Sequence, residues 1–214
     1  MTTVHSTEIN DLCLLFSQHS HDFDVLSLDC FDTLLWRRVE KPTEVFYSLQ
    51  QRPTFRKLAC NATLRMKMEA QARKHKRIVD NSNEVNLEEI YRAGFADVSE
   101  PDLQALMQEE LDEEKQACFA YAPIVRLIHA ARDAGMKVII VSDTYFSEHQ
   151  LRELLTHCLA AETMSEIDQI YCSSSFGVSK AAGLFQSVLT RVQCAPERIV
   201  HIGDHPQADL EAAR

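Results

Sequence analysis

Four short apolar runs in this 214-residue chain each end in residues able to do chemistry. Val25-Leu26-Ser27-Leu28 runs into Asp29-Cys30-Phe31-Asp32-Thr33, and Val138-Ile139-Ile140-Val141 runs into Ser142-Asp143. Ile170-Tyr171-Cys172 leads to the stretch from Ser173 to Lys180, and Ile199-Val200-His201-Ile202 leads to Gly203-Asp204. A short aliphatic run of this kind reads as a buried parallel strand, and ligands of open α/β sheets bind just beyond the carboxyl ends of such strands. Asp29 therefore stands where a nucleophile would. Each residue also has a plainer reading: a strand-end turn for Asp29, a helix cap for Ser142, a solvated helix residue for Lys180, an Asx-turn for Asp204. Four such ends in series at one sheet edge favour a single active site.

The elements that must position these residues alternate along the chain. Apolar residues at Ile9, Leu12, Cys13, Leu15 and Phe16 have helical spacing, which predicts a helix over Glu8 to Gln18 beside the first strand. After Thr33 the chain turns through Trp36-Arg37-Arg38 and meets Pro42. From there to about Ala120 the composition is helical with no convincing strand, including an amphipathic stretch from Leu103 to Cys118. Ser99-Glu100-Pro101-Asp102 reads as a capped helix start. Pro123 opens a helix that Gly135 closes, before a second strand over Lys137 to Val141. Ser147-Glu148-His149-Gln150 is a capping box for a helix to about Leu159. The third strand, Gln169 to Cys172, leads into a loop over Ser173 to Gly177 and a helix that Ser179 would cap, with Lys180 in its first turn. The fourth strand ends at Ile202. This alternation implies right-handed crossovers and a parallel sheet.

Composition bounds the function. The chain is long enough to bury a substantial core, and its 45% hydrophobic and 25% charged residues are ordinary for a globular protein. A net charge of −10 and a pI near 5.3 repel phosphate backbones, so no nucleic-acid partner is expected. No run has the length of a membrane span, and the N-terminus lacks a signal peptide's pattern, which together lead to the expectation of a cytoplasmic protein. The seven cysteines, Cys13, Cys30, Cys60, Cys118, Cys158, Cys172 and Cys194, are scattered without a CxxC and read as reduced thiols. Cys30 adjoins Asp29, but neighbours in an extended segment point to opposite faces, so it is assigned to packing.

The four segments, in this order, resemble the four motifs of the haloacid dehalogenase (HAD) superfamily over most of the chain. Phe31-Asp32-Thr33-Leu34-Leu35 with Arg37, the Pro42 to Phe46 segment, Gly177-Val178-Ser179-Lys180 and His201-Ile202-Gly203-Asp204 are most similar to HAD hydrolase domains found beside or within bacterial glycosyltransferase chains. The resemblance implies a three-layer, Rossmann-like α/β core formed by residues 1–37 and 121–214, with residues 38–120 inserted as an all-helical cap. Family cores usually add a strand after the point where this sequence stops, so the sheet is expected to lack a C-terminal strand and the sequence to be a fragment of a longer chain. The implied roles are Asp29 as nucleophile, Ser142 and Lys180 as its catalytic partners, and Mg²⁺ held by Asp29, the Phe31 carbonyl and Asp204, with Asp209 binding it directly or from behind these ligands. Thr33, Arg37 and Asp143 are candidates for substrate contact, although Thr33 more readily fixes its loop.

Phe31 departs from the phosphatase pattern, which places an acidic proton donor two residues after the nucleophile. Asp32 is one residue further and would face the other way in an extended segment; His205 is another candidate source of the proton. Dehalogenases of the superfamily carry an aromatic residue at the Phe31 position, yet they use no metal and lack the acids kept here as Asp204 and Asp209. The expectation is a Mg²⁺-dependent hydrolase of a small phosphorylated, sugar-linked metabolite working through an aspartyl-phosphate. The alternatives are dehalogenase-like displacement and a binding module that has lost turnover, attached to a glycosyltransferase system.

Overall fold

The computed structural model describes Phe16 and residues 18–213. Most of the helix expected over Glu8 to Gln18 lies outside those residues.

Four strands form the main sheet: β1 (Val25–Leu28), β4 (Lys137–Ser142), β5 (Gln169–Cys172) and β6 (Ile199–Ile202). They lie in the order β5-β4-β1-β6, and every pairing is parallel. The period-two alternation of strand side chains sends neighbouring residues to opposite faces. Leu26, Leu28, Val138, Ile140, Ile170 and Cys172 enter the larger core, with Leu127 and Ile128 of α6 (Ala122–Asp133) and Leu151, Leu154 and Leu155 of α7 (Glu148–Cys158). Val25, Ile139, Val141 and Tyr171 pack on the other face against Leu184, Phe185 and Val188 of α10 (Leu184–Val192). The molecule is thus a helix–sheet–helix sandwich, the three-layer α/β architecture expected.

Between Pro42 and Ala117 the regular elements are helical: α1 (Val45–Leu49), α2 (Pro53–Lys57), α3 (Ala62–Asp80), α4 (Leu87–Gly94) and α5 (Glu100–Ala117). Ser99 accepts from the Asp102 backbone N–H and caps α5, with Pro101 in the first turn. This insertion does not carry a separate core, because Phe46, Leu49, Phe55, Met68, Ile90 and Leu103 belong to the same apolar cluster as one face of the sheet. Deep inside it, Arg65 is fully buried. Its guanidinium donates twice to Glu110 at 2.7 Å and lies among the rings of Phe46, Tyr91 and Tyr145. Tyr145 belongs to the loop after β4, so a core residue enters the insertion's buried charge network.

Three local expectations need correction. Leu35–Arg37 and Cys118–Ala120 are strands, β2 and β3, paired antiparallel with Trp36 opposite Phe119. Neither run shows a strand signal alone; the pairing becomes available only when the insertion's two ends are brought together, and the ribbon then ties them. Residues Ser173–Phe176 form a single helical turn, α9, rather than a loop, and Gly177 ends it at φ +68°. Ser179 makes no side-chain cap. Lys180 sits in a short 3₁₀ turn, Lys180–Ala182, and Gly183, at φ +123°, separates that turn from α10. A glycine tolerates this backbone where another residue would be strained.

Candidate active site

From β1 the chain steps to β4 and β5 on one side, then returns to place β6 on the other. Open α/β sheets bind ligands at such a reversal, beyond the strands' carboxyl ends. A cleft of about 350 Å³ lies there, lined by Asp29, Phe31, Asp32, Ser142, Asp143, Lys180, Asp204, His205, Gln207 and Asp209 among others. The structure therefore brings together residues from all four sequence segments.

Lys180 organises the floor. Its Nζ donates to Asp29 Oδ1 at 2.7 Å and also to Asp209 Oδ1. Its backbone N–H donates to Asp143 Oδ1 at 2.8 Å, which fixes the 3₁₀ turn against the end of β4. All three members of the Asp29–Lys180–Asp209 group are buried. One ammonium cannot neutralise two buried carboxylates, so their proton affinities separate. Burial pushes Asp29 up to about 7, with Lys180 opposing and Asp209 reinforcing the shift. Burial acts in the same direction on Asp209, but hydrogen bonds from His201 and Lys180 and the His205 backbone N–H hold it well below the carboxylate range. Burial also works against the Lys180 ammonium, and the two carboxylates outweigh it. Asp204, at the mouth, is raised by burial and by Asp209.

Asp29, Asp204 and Asp209 can each present a ligand atom with all three within 4.8 Å of one another. Three hard oxygen donors beside one Lys leave the site electron-rich, which fits a divalent cation such as Mg²⁺ better than a soft metal. Asp209 reaches this position through a close approach to the backbone: a Cβ at residue 203 would overlap the Asp209 carboxyl, so only glycine fits at Gly203.

Ser142 Oγ and Thr33 Oγ1 are buried without a hydrogen-bond partner among the described residues. A buried hydroxyl left unpaired costs roughly 1–3 kcal/mol, so such a group at a cleft is a natural donor to a ligand oxygen. Only Ser142 lines the cleft. Arg37 is turned elsewhere: its guanidinium lies 4.3 Å over the Phe31 ring, and its Nε donates to Glu114 Oε2 at 3.0 Å. The Phe31 ring is also within 6.5 Å of Phe146. Asp32 has φ +59°, so the local backbone is a turn rather than an extended segment, and its residue lines the cleft. His205 Nδ1 accepts from the Ala208 N–H at 3.2 Å, which turns Nε2 away from that bond.

Sequence reasoning passed over two features. The turn between α3 and α4 touches the core beside the site: Ser82 Oγ donates to the Gly177 carbonyl at 2.6 Å, and Ser173 Oγ donates to Glu84 Oε2 at 2.5 Å. His201 is the other. It lies in β6 under the cleft, 3.1 Å from Asp209 Oδ1 through Nε2 and 2.8 Å from Ser27 Oγ through Nδ1. A lone histidine in an apolar strand gives no signal by itself, and Ser27 becomes its neighbour only in the β1–β6 register.

The fold and the four converging strand ends define a ligand site at the carboxyl edge of a parallel α/β sheet, and comparison with known families places it. Residues 23–214 match the haloacid dehalogenase-like hydrolases, and the chain belongs to that family. No curated protein matches it. Among solved structures it resembles a 2-haloacid dehalogenase from Pseudomonas syringae pv. tomato DC3000, at 15% identity and TM-score 0.59, covering 89% of this chain and 82% of that one. The Bacillus subtilis HAD-hydrolase YfnB, bound to magnesium, is similar at 17% identity and TM-score 0.55, covering 89% and 84%. A predicted phosphoglycolate phosphatase from Haemophilus somnus 129PT is similar at 12% identity and TM-score 0.54, covering 90% and 81%. At these identities the likeness is one of fold. Among the described residues, no helix is long and apolar enough to cross a membrane.

Proposed function

We propose that this chain is a Mg²⁺-dependent phosphatase of small phosphorylated metabolites that works through an aspartyl-phosphate on Asp29. The observation that carries the reading is the convergence of Asp29, Asp204 and Asp209 around Lys180, with the unpaired Ser142 hydroxyl in the same cleft. Asp29, the Phe31 carbonyl and Asp204 would hold the cation, which when bound offsets the repulsion between a carboxylate and an anionic ester. Lys180 fixes Asp29 through Oδ1 and leaves the other oxygen to attack. In the first step an Asp29 oxygen bonds to phosphorus, the ester P–O bond breaks, and its electron pair leaves on the alcohol oxygen. Ser142 would donate to a phosphoryl oxygen as charge builds on it. Water then attacks phosphorus as the Asp29 O–P bond breaks, which releases phosphate and the Asp29 carboxylate, and the proton that the water loses balances the one that the departed alcohol oxygen takes up. Arg37 and Asp143 are better read as supports of the site than as substrate contacts, because Arg37 is held by Glu114 and Asp143 by the Lys180 backbone, while Thr33 is buried outside the lining of the cleft.

Residues 38–120 serve in this reading as the cap that limits access, a role supported by the contacts of Ser82 and Glu84 beside the site. A sugar-linked substrate and association with a glycosyltransferase rest on the resemblance carried by Phe31-Asp32-Thr33-Leu34-Leu35 with Arg37, the Pro42 to Phe46 segment, Gly177-Val178-Ser179-Lys180 and His201-Ile202-Gly203-Asp204. A cytoplasmic location is supported by the free thiols, since the six described cysteines form no disulfide.

Phe31 favours a second reading, displacement at carbon, because a halide leaving group needs no proton. A panel of phosphate esters and 2-haloacids, assayed with Mg²⁺ and with a chelator, separates the two. The phosphatase reading expects ester hydrolysis that the chelator and Asp29→Asn each abolish. Metal-independent release of halide would replace it with the second reading, and no turnover of either class would leave a binding module.

A further inference from the structure

Asp209 is held from three directions. Its Oδ1 accepts from Lys180 Nζ and from His201 Nε2 at 3.1 Å, and its Oδ2 accepts from the His205 backbone N–H at 2.9 Å. A carboxylate only accepts, so the proton in the His201–Asp209 bond belongs to Nε2. The other ring nitrogen faces Ser27 Oγ at 2.8 Å, and a hydroxyl can donate to it. Ser27 and His201 are direct partners in the parallel β1–β6 register and share one face of the sheet. The edge-on ring of Phe185 from α10, 4.8 Å away between centroids, closes that face and keeps the imidazole from rotating. Ser27 is 2% exposed, so its hydroxyl has no access to bulk water and a defined partner.

We propose that Ser27 and His201 are positioning residues for the hydrolytic site: the Ser27 hydroxyl donates to His201 Nδ1 and so fixes the ring proton on Nε2, and that N–H holds Asp209, which in turn holds Lys180 against Asp29. The pattern matches the way buried partners orient the residues that surround a metal or nucleophile. The arrangement also gives Asp209 a definite part. With two donors on Oδ1 and one on Oδ2, it orients Lys180 more than it binds a cation directly, leaving direct ligation to Asp29 and Asp204. This last point and the affinity measurements below rest on the metal-dependent reading; the tautomer measurement does not.

Long-range ¹H–¹⁵N spectra of the full, metal-free chain labelled at histidine read the tautomer, with His201 assigned by its loss in His201→Gln. The expected spectrum shows a protonated Nε2 and a bare Nδ1 in the wild type, and a mixture of tautomers in Ser27→Ala. Calorimetric titration with Mg²⁺ should then show affinity falling roughly tenfold or more in Ser27→Ala and His201→Phe. His201→Gln, which can still donate to Asp209, should recover most of it. A proton on Nδ1 alone, or on both nitrogens, in the wild type would overturn the proposal, as would Ser27→Ala with an unchanged tautomer. Equal Mg²⁺ affinity in the wild type and in folded His201→Phe would do the same. If the wild type binds no Mg²⁺, the phosphatase reading fails while the spectra still decide the role of Ser27.

Discussion

The Arg37 guanidinium lies 4.3 Å over the ring of Phe31, two residues after Asp29, and is itself held by Glu114 at 3.0 Å. An aromatic ring beside a paired Arg can supply no proton to a leaving group. A cation against a ring face contributes roughly 0.5–2 kcal/mol, so the contact fixes the Phe31 ring as part of the wall of the site.

The first prediction concerns the leaving group. An aryl phosphate, whose phenolate departs with little protonation, should be hydrolysed far faster than an alkyl phosphate. Phe31→Asp should narrow that gap, although Arg37 will favour the ionised carboxylate there and limit the gain to below the full ~10²–10⁴-fold typical of acid catalysis. Initial rates on matched esters decide it. Comparable wild-type rates on both, lost in Asp29→Asn, would show that Asp32, His205 or water already provides the proton.

Lys180 offers a stability test. It is 3% exposed and paired with two buried carboxylates. Lys180→Met leaves both uncompensated, and removing one partner of a buried ion pair typically costs about 3–5 kcal/mol. Urea unfolding should show that loss, and added Mg²⁺ should recover part of it by supplying the missing positive charge. A loss under 1 kcal/mol would mean the pair is solvated in solution.

The pH dependence of Mg²⁺ binding follows from Asp29. Its folded-state pKa is raised to about 7 by burial, above the ordinary carboxylate value of 3.8. Below pH 7 the carboxyl is increasingly protonated, and a cation must displace the proton. Affinity should therefore fall by about tenfold per pH unit as pH drops below 7 and level off above it. In the metal-free protein the same shift opposes folding: its destabilising contribution is absent below pH 4, grows between pH 4 and 7, and is full above 7. Titration calorimetry in buffers of different ionisation enthalpy would show protons released below pH 7; a flat affinity from pH 6 to 8 would contradict the prediction.

Inside the helical insertion, the buried Arg65–Glu110 pair should behave as a unit. Arg65→Met strands Glu110 and should destabilise the protein by about 3–5 kcal/mol. The double change Arg65→Met with Glu110→Leu should cost much less, since it removes both charges together. A double-mutant cycle by urea unfolding measures the coupling. Additive losses would mean the two residues act separately.

Periodicity and residue type were enough to locate the four strands, the start of α5 at Ser99 and the capping box at Ser147, because local backbone and side-chain chemistry sets them. They also marked Asp29, Ser142, Lys180 and Asp204 as a group, since residues at the carboxyl ends of parallel strands share one edge wherever the strands lie in the sheet, whereas Asp209 was implied by the resemblance to the HAD motifs alone. Strand order, register and contact were decided by the tertiary structure. Only the β1–β6 register sets Ser27 beside His201, and only the packing of the insertion lets Glu114 take Arg37 away from the cleft. The ribbon of β2 and β3 exists because residues more than 80 positions apart meet. Such pairings depend on distances between segments remote in the chain, and no local pattern of residues encodes those distances.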